Sequence, residues 1–327
     1  MVVDGNTVRP AENVNEIFDL VPRIKEIADM SLEILSNVDS TNVLPSDWER
    51  IIDFIVTNRD NYDGFLVAHG TNTMAYTASA LALGLGQDFG KPVVITGSQL
   101  PLTVYGNDGQ FNLENSVKTL SEAINLGISE VMIVFNDYIL RGSRSVKVSE
   151  SAFRAFDSPA FEHLGKITST GIHFSPTLVH TADPTTQPSV QNRFQTGVIT
   201  IDLSPGQEPL ILSQLLSISN IKGIVLKSHG AGSVPTIGSF SFLPFIAEAT
   251  AKGVPVLVTT KFMGGNSFKE TNDEPALQAI DAGAIPTGDL TDVMVEVKLM
   301  WLLGQGITDL NEIRARIIHP ENGEITS

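Results

Sequence analysis

No cysteine occurs among the 327 residues. That absence excludes disulfides, thiolate metal sites and a cysteine nucleophile in one step, and it is neutral on compartment. Long apolar runs are missing too. The strongest, such as Val131–Phe135, falls far short of the ~20 residues that cross a bilayer. The stretch from Met1 to Leu20 has neither a basic n-region nor an apolar h-region, so no secretory signal is read there. Positive charge is scarce: 21 Lys+Arg against 37 Asp+Glu give −16, a sign that repels phosphate backbones and anionic lipid. Nucleic acid and membrane are therefore not expected partners. The excess acid serves solubility, and a cytoplasmic location is expected.

Several chemical signatures are also absent. The six histidines are scattered without metal-ligand spacing. There is no P-loop and no Gly-x-Ser-x-Gly elbow. Leu83-Gly84-Leu85-Gly86 closes a helical pattern where a dinucleotide fingerprint would open one, so it is read as a C-cap. No metal and no cofactor is expected.

What is present is an alternation. Short β-branched runs lie at Phe65–Ala68, Val93–Thr96, Val131–Phe135, Val198–Asp202, Gly223–Leu226 and Val256–Thr259, each bounded by Gly, Pro, Asn or Asp. Between them are helical patterns: Met74, Ala78, Leu81 and Leu85 in one, and Val293, Val297, Met300 and Trp301 in another that Thr291 is placed to cap. Strands alternating with helices imply α/β architecture with a largely parallel sheet. Length allows two cores. The stretch 181–196 holds prolines among Thr, Gln, Ser and Asn without apolar periodicity, and is expected to link a larger domain (1–180) to a smaller one (197–327). A helix is expected over about Val14–Met30, ahead of any convincing strand. An open parallel sheet normally begins with a strand, so this entry looks as if a first strand had been removed, and such a removal would leave a central gap in the sheet.

The densest chemistry lies in Val67-Ala68-His69-Gly70-Thr71-Asn72-Thr73-Met74. A strand ends at His69, Gly70 permits a tight turn, and a helix begins near Thr73. Ligands of open α/β sheets gather at such carboxyl ends. Two hydroxyls, an amide and free helix N–H groups suit a carboxylate or an oxyanion. The alternative is that Thr71 and Thr73 only cap the helix. His69 is read as a hydrogen-bonded supporting residue and not as a base.

His69–Ser79, HGTNTMAYTAS, resembles the second signature of the asparaginase/glutaminase family, usually HGTDTMAYTAS. In order along the chain follow Thr96-Gly97-Ser98-Gln99-Leu100-Pro101, Asn107-Asp108-Gly109 with Phe111-Asn112-Leu113, Arg141 to Lys147, and Phe156-Asp157-Ser158-Pro159. Upstream, Val38-Asp39-Ser40-Thr41-Asn42 is similar to the family's substrate loop. Gly230-Ala231-Gly232 and Lys298–Gln305 resemble the smaller domain of its cytoplasmic, type I branch. The likeness covers nearly the whole chain.

The resemblance implies an asparaginase fold of two α/β domains, the larger an open, doubly wound, mostly parallel sheet. It implies hydrolysis of L-asparagine, and to some extent L-glutamine, by two threonines without a metal. Carried over, the proton-handling set is Thr71, Asn72 and Lys147, with Thr71 and Lys147 catalytic. Ser40 and Thr41, with Thr71 and Asn72, would bind the substrate, Ser40 at its α-carboxylate and position 72 at its α-ammonium. A homodimer or homotetramer is implied, the smaller domain of one subunit closing the larger domain of another. The chemistry behind such a set is general: a hydroxyl needs a base, and a lysine serves only when its pKa is lowered. Otherwise Lys147, beside Arg141 and Arg144, is an ordinary solvated lysine.

Three positions depart from the family. No Gly-Gly-Thr-Ile, the turn that carries the nucleophile after the first strand, occurs. Thr7 is no obvious substitute, since no strand is expected before it. Asn72 replaces an Asp, which removes a charge-assisted bond worth about 1.5–3 kcal/mol. Ser233 replaces the Asn of Gly-Ala-Gly-Asn. Three readings follow: an asparaginase whose start lies upstream of Met1, a catalytically inactive amino-acid-binding paralogue, or the asparaginase-like subunit of a tRNA-dependent amidotransferase, which the −16 charge disfavours.

Overall fold

All six apolar runs form strands in the computed structural model, which describes residues 2–4, 7–9, 19–183, 185–217, 220–268 and 272–326. The chain divides into two compact units, Met1–Asn192 and Arg193–Ser327.

In the first unit a short hairpin, β1 (Val2–Asp4) and β2 (Thr7–Arg9), precedes 3-10 turns at Pro22–Glu26 and Ser40–Asn42. There follow α1 (Pro45–Thr57), β3 (Phe65–Ala68), α2 (Met74–Leu85), β4 (Val93–Thr96), α3 (Gly109–Asn125) and β5 (Val131–Phe135). The unit continues with β6 (Tyr138–Arg141), β7 (Val146–Lys147), β8 (Phe156–Asp157), β9 (Gly165–Thr168) and β10 (Gly171–Phe174). Its main sheet has the order β10-β9-β6-β5-β4-β3. The neighbours β3, β4 and β5 run parallel, and β6 and β10 run against them, so four of the six strands share one direction. Val93, Val94 and Ile95 are all fully buried, the sign of a strand covered on both faces. Val94, Met132 and Val134 pack with Leu120 and Ala123 of α3. Helix α2 packs along β4 and β5, is buried along almost its whole length and stops at Gly86, whose φ of +79° makes it the expected C-cap.

Three expectations need correction. The helix expected over Val14–Met30 is shorter at its C-terminal end: Asp19 and Leu20 are helical, and beyond them there is one 3-10 turn, Pro22–Glu26, because Pro22 has no N–H with which to continue the helical ladder. Its earlier residues, 14–18, lie outside the described residues. A strand does precede Thr7: β1 pairs antiparallel with β2, Asp4 opposite Thr7. No central gap exists among the described strands, for the six are contiguous and β3 stands at the edge with Ala68 exposed.

The second unit holds β11 (Val198–Asp202), α4 (Pro209–Leu215), β12 (Gly223–Ser228), α5 (Leu243–Ala251), β13 (Val256–Thr260), α6 (Glu274–Asp281), β14 (Ile285–Pro286), α7 (Asp292–Gly304) and α8 (Leu310–Ile317). Its four strands pair in sequence order, all parallel. Ile224, Leu226, Val256 and Val258 meet Phe242, Phe245 and Ile246 beside α5. Helix α7 packs along β11, β12 and β13, close enough that a Cβ on Gly223 would fall 2.6 Å from Leu299. Thr291 caps α7 as expected, its hydroxyl accepting from the Met294 N–H at 3.1 Å. No helix among the described residues is long and apolar enough to cross a membrane.

Candidate active site

Strand β3 continues one residue past its end, where the His69 N–H donates to the Thr96 carbonyl at 2.8 Å. The chain must then turn in a crowded place. A Cβ on Gly97 would lie 2.2 Å from the His69 carbonyl, and a Cβ on Gly70 would lie 2.6 Å from Ser40 Oγ. Only glycine lets the ends of β3 and β4 close up and the Ser40 segment lie against the turn.

Two side-chain bonds tie that segment down. Thr73 Oγ1 donates to the Ser40 carbonyl at 2.6 Å, and Asn72 Nδ2 donates to Thr41 Oγ1 at 3.0 Å. Asp39 shapes the segment itself, accepting from the Thr41 N–H at 2.8 Å, a bond that holds its carboxyl below the ordinary value. Helix α2 therefore opens with no side-chain cap, because Thr73, its N-cap residue, spends its hydroxyl on Ser40 and Thr71 turns elsewhere. The capping alternative for both threonines is removed.

Thr71 turns to Lys147. The lysine Nζ donates to Thr71 Oγ1 at 2.9 Å and to Asn72 Oδ1 at 3.2 Å. Its strand β7 pairs with β8, Lys147 opposite Phe156. Phe156 is fully buried against Phe135, with ring centroids 5.0 Å apart, so β8 is anchored in the core and carries β7 with it. Burial pushes the Lys147 pKa below its ordinary value although Glu150 acts the other way. Lys147 is thus half-buried and committed to the turn, not a solvated surface lysine.

A second bracket was not foreseen. Asp108 accepts from the backbone N–H groups of Gln99 and Leu100 and from Asn112 Nδ2, at 3.0 to 3.1 Å. Gln99 Nε2 then donates to the carbonyls of Glu150 and Ala152 at 2.7 and 3.2 Å, holding the loop that follows Lys147. In the sequence Gln99 and Asp108 stand in two separate motifs of the family resemblance, with nothing to pair one with the other. His69 takes its supporting role: Nδ1 meets the Gly70 carbonyl at 2.7 Å, and Nε2 accepts from Thr77 Oγ1 at 2.9 Å, which in turn accepts from Trp48 Nε1. Burial pushes its pKa down, so the ring is a neutral brace.

The five expected site residues, Ser40, Thr41, Thr71, Asn72 and Lys147, are therefore one connected cluster at the carboxyl end of β3. Ser233 lies in the second unit, its hydroxyl donating to Asp273 at 2.8 Å. Among the described residues no group of three or more His, Asp and Glu has the arrangement of a metal site.

Comparison with known proteins agrees with this picture. Residues 1–180 match the family model for the N-terminal domain of asparaginase, and residues 197–316 match the glutaminase/asparaginase C-terminal domain. The chain belongs to the asparaginase family. It is 35% identical over 301 residues to L-asparaginase 1 of Escherichia coli, covering 88% of this chain and 82% of that one. The solved thermostable L-asparaginase of Thermococcus kodakarensis superposes with a TM-score of 0.85 at 30% identity, covering 100% of this chain and 95% of that one. A component of the glutamyl-tRNA(Gln) amidotransferase of Aeropyrum pernix is also similar, 30% identical over 99% of this chain and 75% of its own length. Membership of the asparaginase family makes the fold that of a two-domain α/β amidohydrolase.

Proposed function

We propose that the chain is an L-asparaginase-type amidohydrolase whose substrate crevice is the Ser40–Thr71–Lys147 cluster. The observation that carries this is the 2.9 Å hydrogen bond between Lys147 Nζ and Thr71 Oγ1. Lys147, its pKa lowered by burial, serves in its amine form as the proton acceptor. As an attacking water adds to the substrate's side-chain amide, its proton passes through Thr71 Oγ1 to the Lys147 amine; where a side-chain hydroxyl attacks instead, the acyl ester it forms is cleaved by a water activated along the same route. The tetrahedral intermediate collapses with loss of ammonia, which receives the proton back. Ser40, Thr41, Thr71 and Asn72 hold the substrate. No metal or cofactor enters the scheme.

Two features set the level of activity. The residues of this chain include no Gly-Gly-Thr-Ile turn, and Asn72 offers the substrate's α-ammonium a neutral partner where a carboxylate would pair with it. Turnover of L-asparagine by these 327 residues is therefore expected to be low. Ammonia release from L-asparagine and L-glutamine at high enzyme concentration tests the reading, and it must vanish in Thr71→Ala. Asparagine binding without any ammonia would instead establish the second reading, an inactive amino-acid-binding paralogue, which the same two features favour. The amidotransferase relative favours a third, and tRNA binding at low salt would establish it against a net charge of −16.

In this reading 1–180 is the catalytic domain, 181–196 the linker and 197–327 the smaller domain, in a cytoplasmic homodimer or homotetramer. Light scattering on the purified chain reads the assembly directly.

A further inference from the structure

Asn112 lies near the start of α3 and is fully buried. Asparagine is a weak helix former, and a buried amide is tolerated when its groups are bonded. Here three bonds occupy it. Nδ2 donates to the Gly97 carbonyl at 2.9 Å and to Asp108 Oδ2 at 3.1 Å, and Oδ1 accepts from the Asn136 N–H at 2.9 Å. One side chain thus joins the end of β4, the residue before α3, and the turn between β5 and β6, where Asn136 takes a φ of +52°.

Two of these partners lead to the same loop. Asp108 holds the backbone of Gln99, whose side chain donates to the Glu150 and Ala152 carbonyls. Next to Asn136, Asp137 accepts from Arg154 Nε at 2.9 Å and Nη2 at 2.7 Å, and the guanidinium lies 4.9 Å from the centre of the Tyr138 ring. Residues 148–155 are therefore fastened in the middle by one arm and near the far end by the other. They join β7 to β8, and β7 ends in Lys147. Two paired residues on each strand fix little by themselves, yet the lysine must stay 2.9 Å from Thr71 Oγ1, and a shift of about 1 Å breaks such a bond.

We infer that Asn112 is a positioning residue for the proposed reaction: by fastening 148–155 through Gln99 and through Asp137 and Arg154, it keeps Lys147 Nζ on Thr71. The inference rests on the amidohydrolase reading and adds to it a residue buried outside the crevice cluster.

The test reads Lys147 directly. Acetylation of Lys147 by acetic anhydride in the full chain, followed across pH by mass spectrometry, gives its pKa whether or not the chain turns over. Burial lowers that pKa, so a lysine released into water should titrate closer to the ordinary 10.5. Asn112→Asp keeps the acceptor for Asn136 but sets a carboxylate against Asp108 and the Gly97 carbonyl. It is expected to raise the Lys147 pKa and to lower ammonia release by roughly 10²-fold. Adding Asp108→Asn reverses the bond between the two side chains and should undo part of both changes. A merely destabilised fold would leave the Lys147 pKa of the folded molecules where it was. Gln99→Met combined with Arg154→Met cuts both arms at half-buried and exposed positions. It should raise the pKa with Asn112 intact, and it carries the test if Asn112→Asp does not fold. An unchanged Lys147 pKa in either variant, or a rise that Asp108→Asn does not reduce, overturns the inference. Absence of ammonia from the unmodified chain overturns the amidohydrolase reading alone, and the titration still decides whether Asn112 holds Lys147 in place.

Discussion

Each unit holds a lysine whose pKa is lowered by burial, and the two are held in opposite ways. Lys298, on α7 of the second unit, is fully buried and donates at 2.6 Å both to the equally buried carboxylate of Glu324 and to the His319 carbonyl. Glu324 is saturated in its turn by the backbone N–H groups of Glu321 and Asn322. Lys147 in the first unit is half-buried, and its two partners are neutral. A lysine with a matched counter-ion fastens the chain end to a helix, even where burial lowers its pKa as it does for Lys298. A lysine drawn from water without one keeps its proton loosely and can exchange it. The first arrangement is structural and the second chemical, and each makes a prediction that the other denies.

Largest should be the loss on changing Lys147. Lys147→Met is expected to lower ammonia release by roughly 10²- to 10⁴-fold. It should move unfolding free energy by no more than about 0.5 kcal/mol. The pH profile sharpens the point. A lysine pKa lowered by burial leaves more amine at a given pH, so the rate should climb with pH and level off below the ordinary lysine value of 10.5. A rate that falls over that range would remove Lys147 as the proton acceptor.

Lys298→Met should do the reverse. Removing one partner of a buried pair strands the other and costs about 3–5 kcal/mol, whereas removing both for apolar groups recovers most of that. The two tryptophans allow the units to be followed apart, since Trp48 lies in the first and Trp301 in the second. Loss of stability in Lys298→Met should be read by Trp301 and relieved by adding Glu324→Leu. Acid should act on the same pair. Burial alone would raise the Glu324 pKa, but the Lys298 ammonium and the two backbone N–H groups outweigh it and hold the carboxyl below its ordinary 4.5. A depressed carboxylate contributes stability above its unfolded value and loses it as pH falls through the folded one. Through Glu324 the second unit should therefore weaken as pH falls below 4.5.

Less costly is the bracket behind the crevice. Asp108→Ala leaves the N–H groups of Gln99 and Leu100 without their acceptor, at about 1–3 kcal/mol. Because Gln99 holds the Glu150–Ala152 loop, hydrogen exchange should rise in 148–155 as well as in 98–101. Exchange confined to 98–101 would break the link between the two loops.

These bonds also show what a sequence can carry. The strands that are buried on both faces were legible, because Val93 to Thr96 or Val131 to Phe135 leave no polar position to confuse the period. The antiparallel strands were not. Strand β6 ends in Arg141, a charged residue that interrupts the apolar pattern and is buried because Glu130, 2.9 Å away, the Leu178 carbonyl and the Phe161 ring all meet its guanidinium, and such pairing is invisible before folding. The site followed the same rule. The residues of the crevice were legible as a group through resemblance to a family, from Ser40 to Lys147. What the hydroxyls do was not, since Thr71 and Thr73 have the composition of caps and the structure turns both away from the helix.

That difference supplies the smallest and most discriminating effect. Thr73 and Thr291 precede α2 and α7 at equivalent positions, and each is worth about 1 kcal/mol by the ordinary value of one hydrogen bond or cap. Their hydroxyls serve different partners. Thr291→Ala removes the acceptor of the Met294 N–H, so the first turn of α7 should fray, with faster exchange there and no change in ligand affinity. Thr73→Ala removes no cap, since its hydroxyl bonds the Ser40 carbonyl. The first turn of α2 should keep its protection, while the Ser40–Thr41 segment loosens and L-asparagine binds more weakly. If Thr73→Ala frays α2 and leaves affinity unchanged, the threonine is a cap after all, and the crevice no longer has an uncapped helix start to offer an anion.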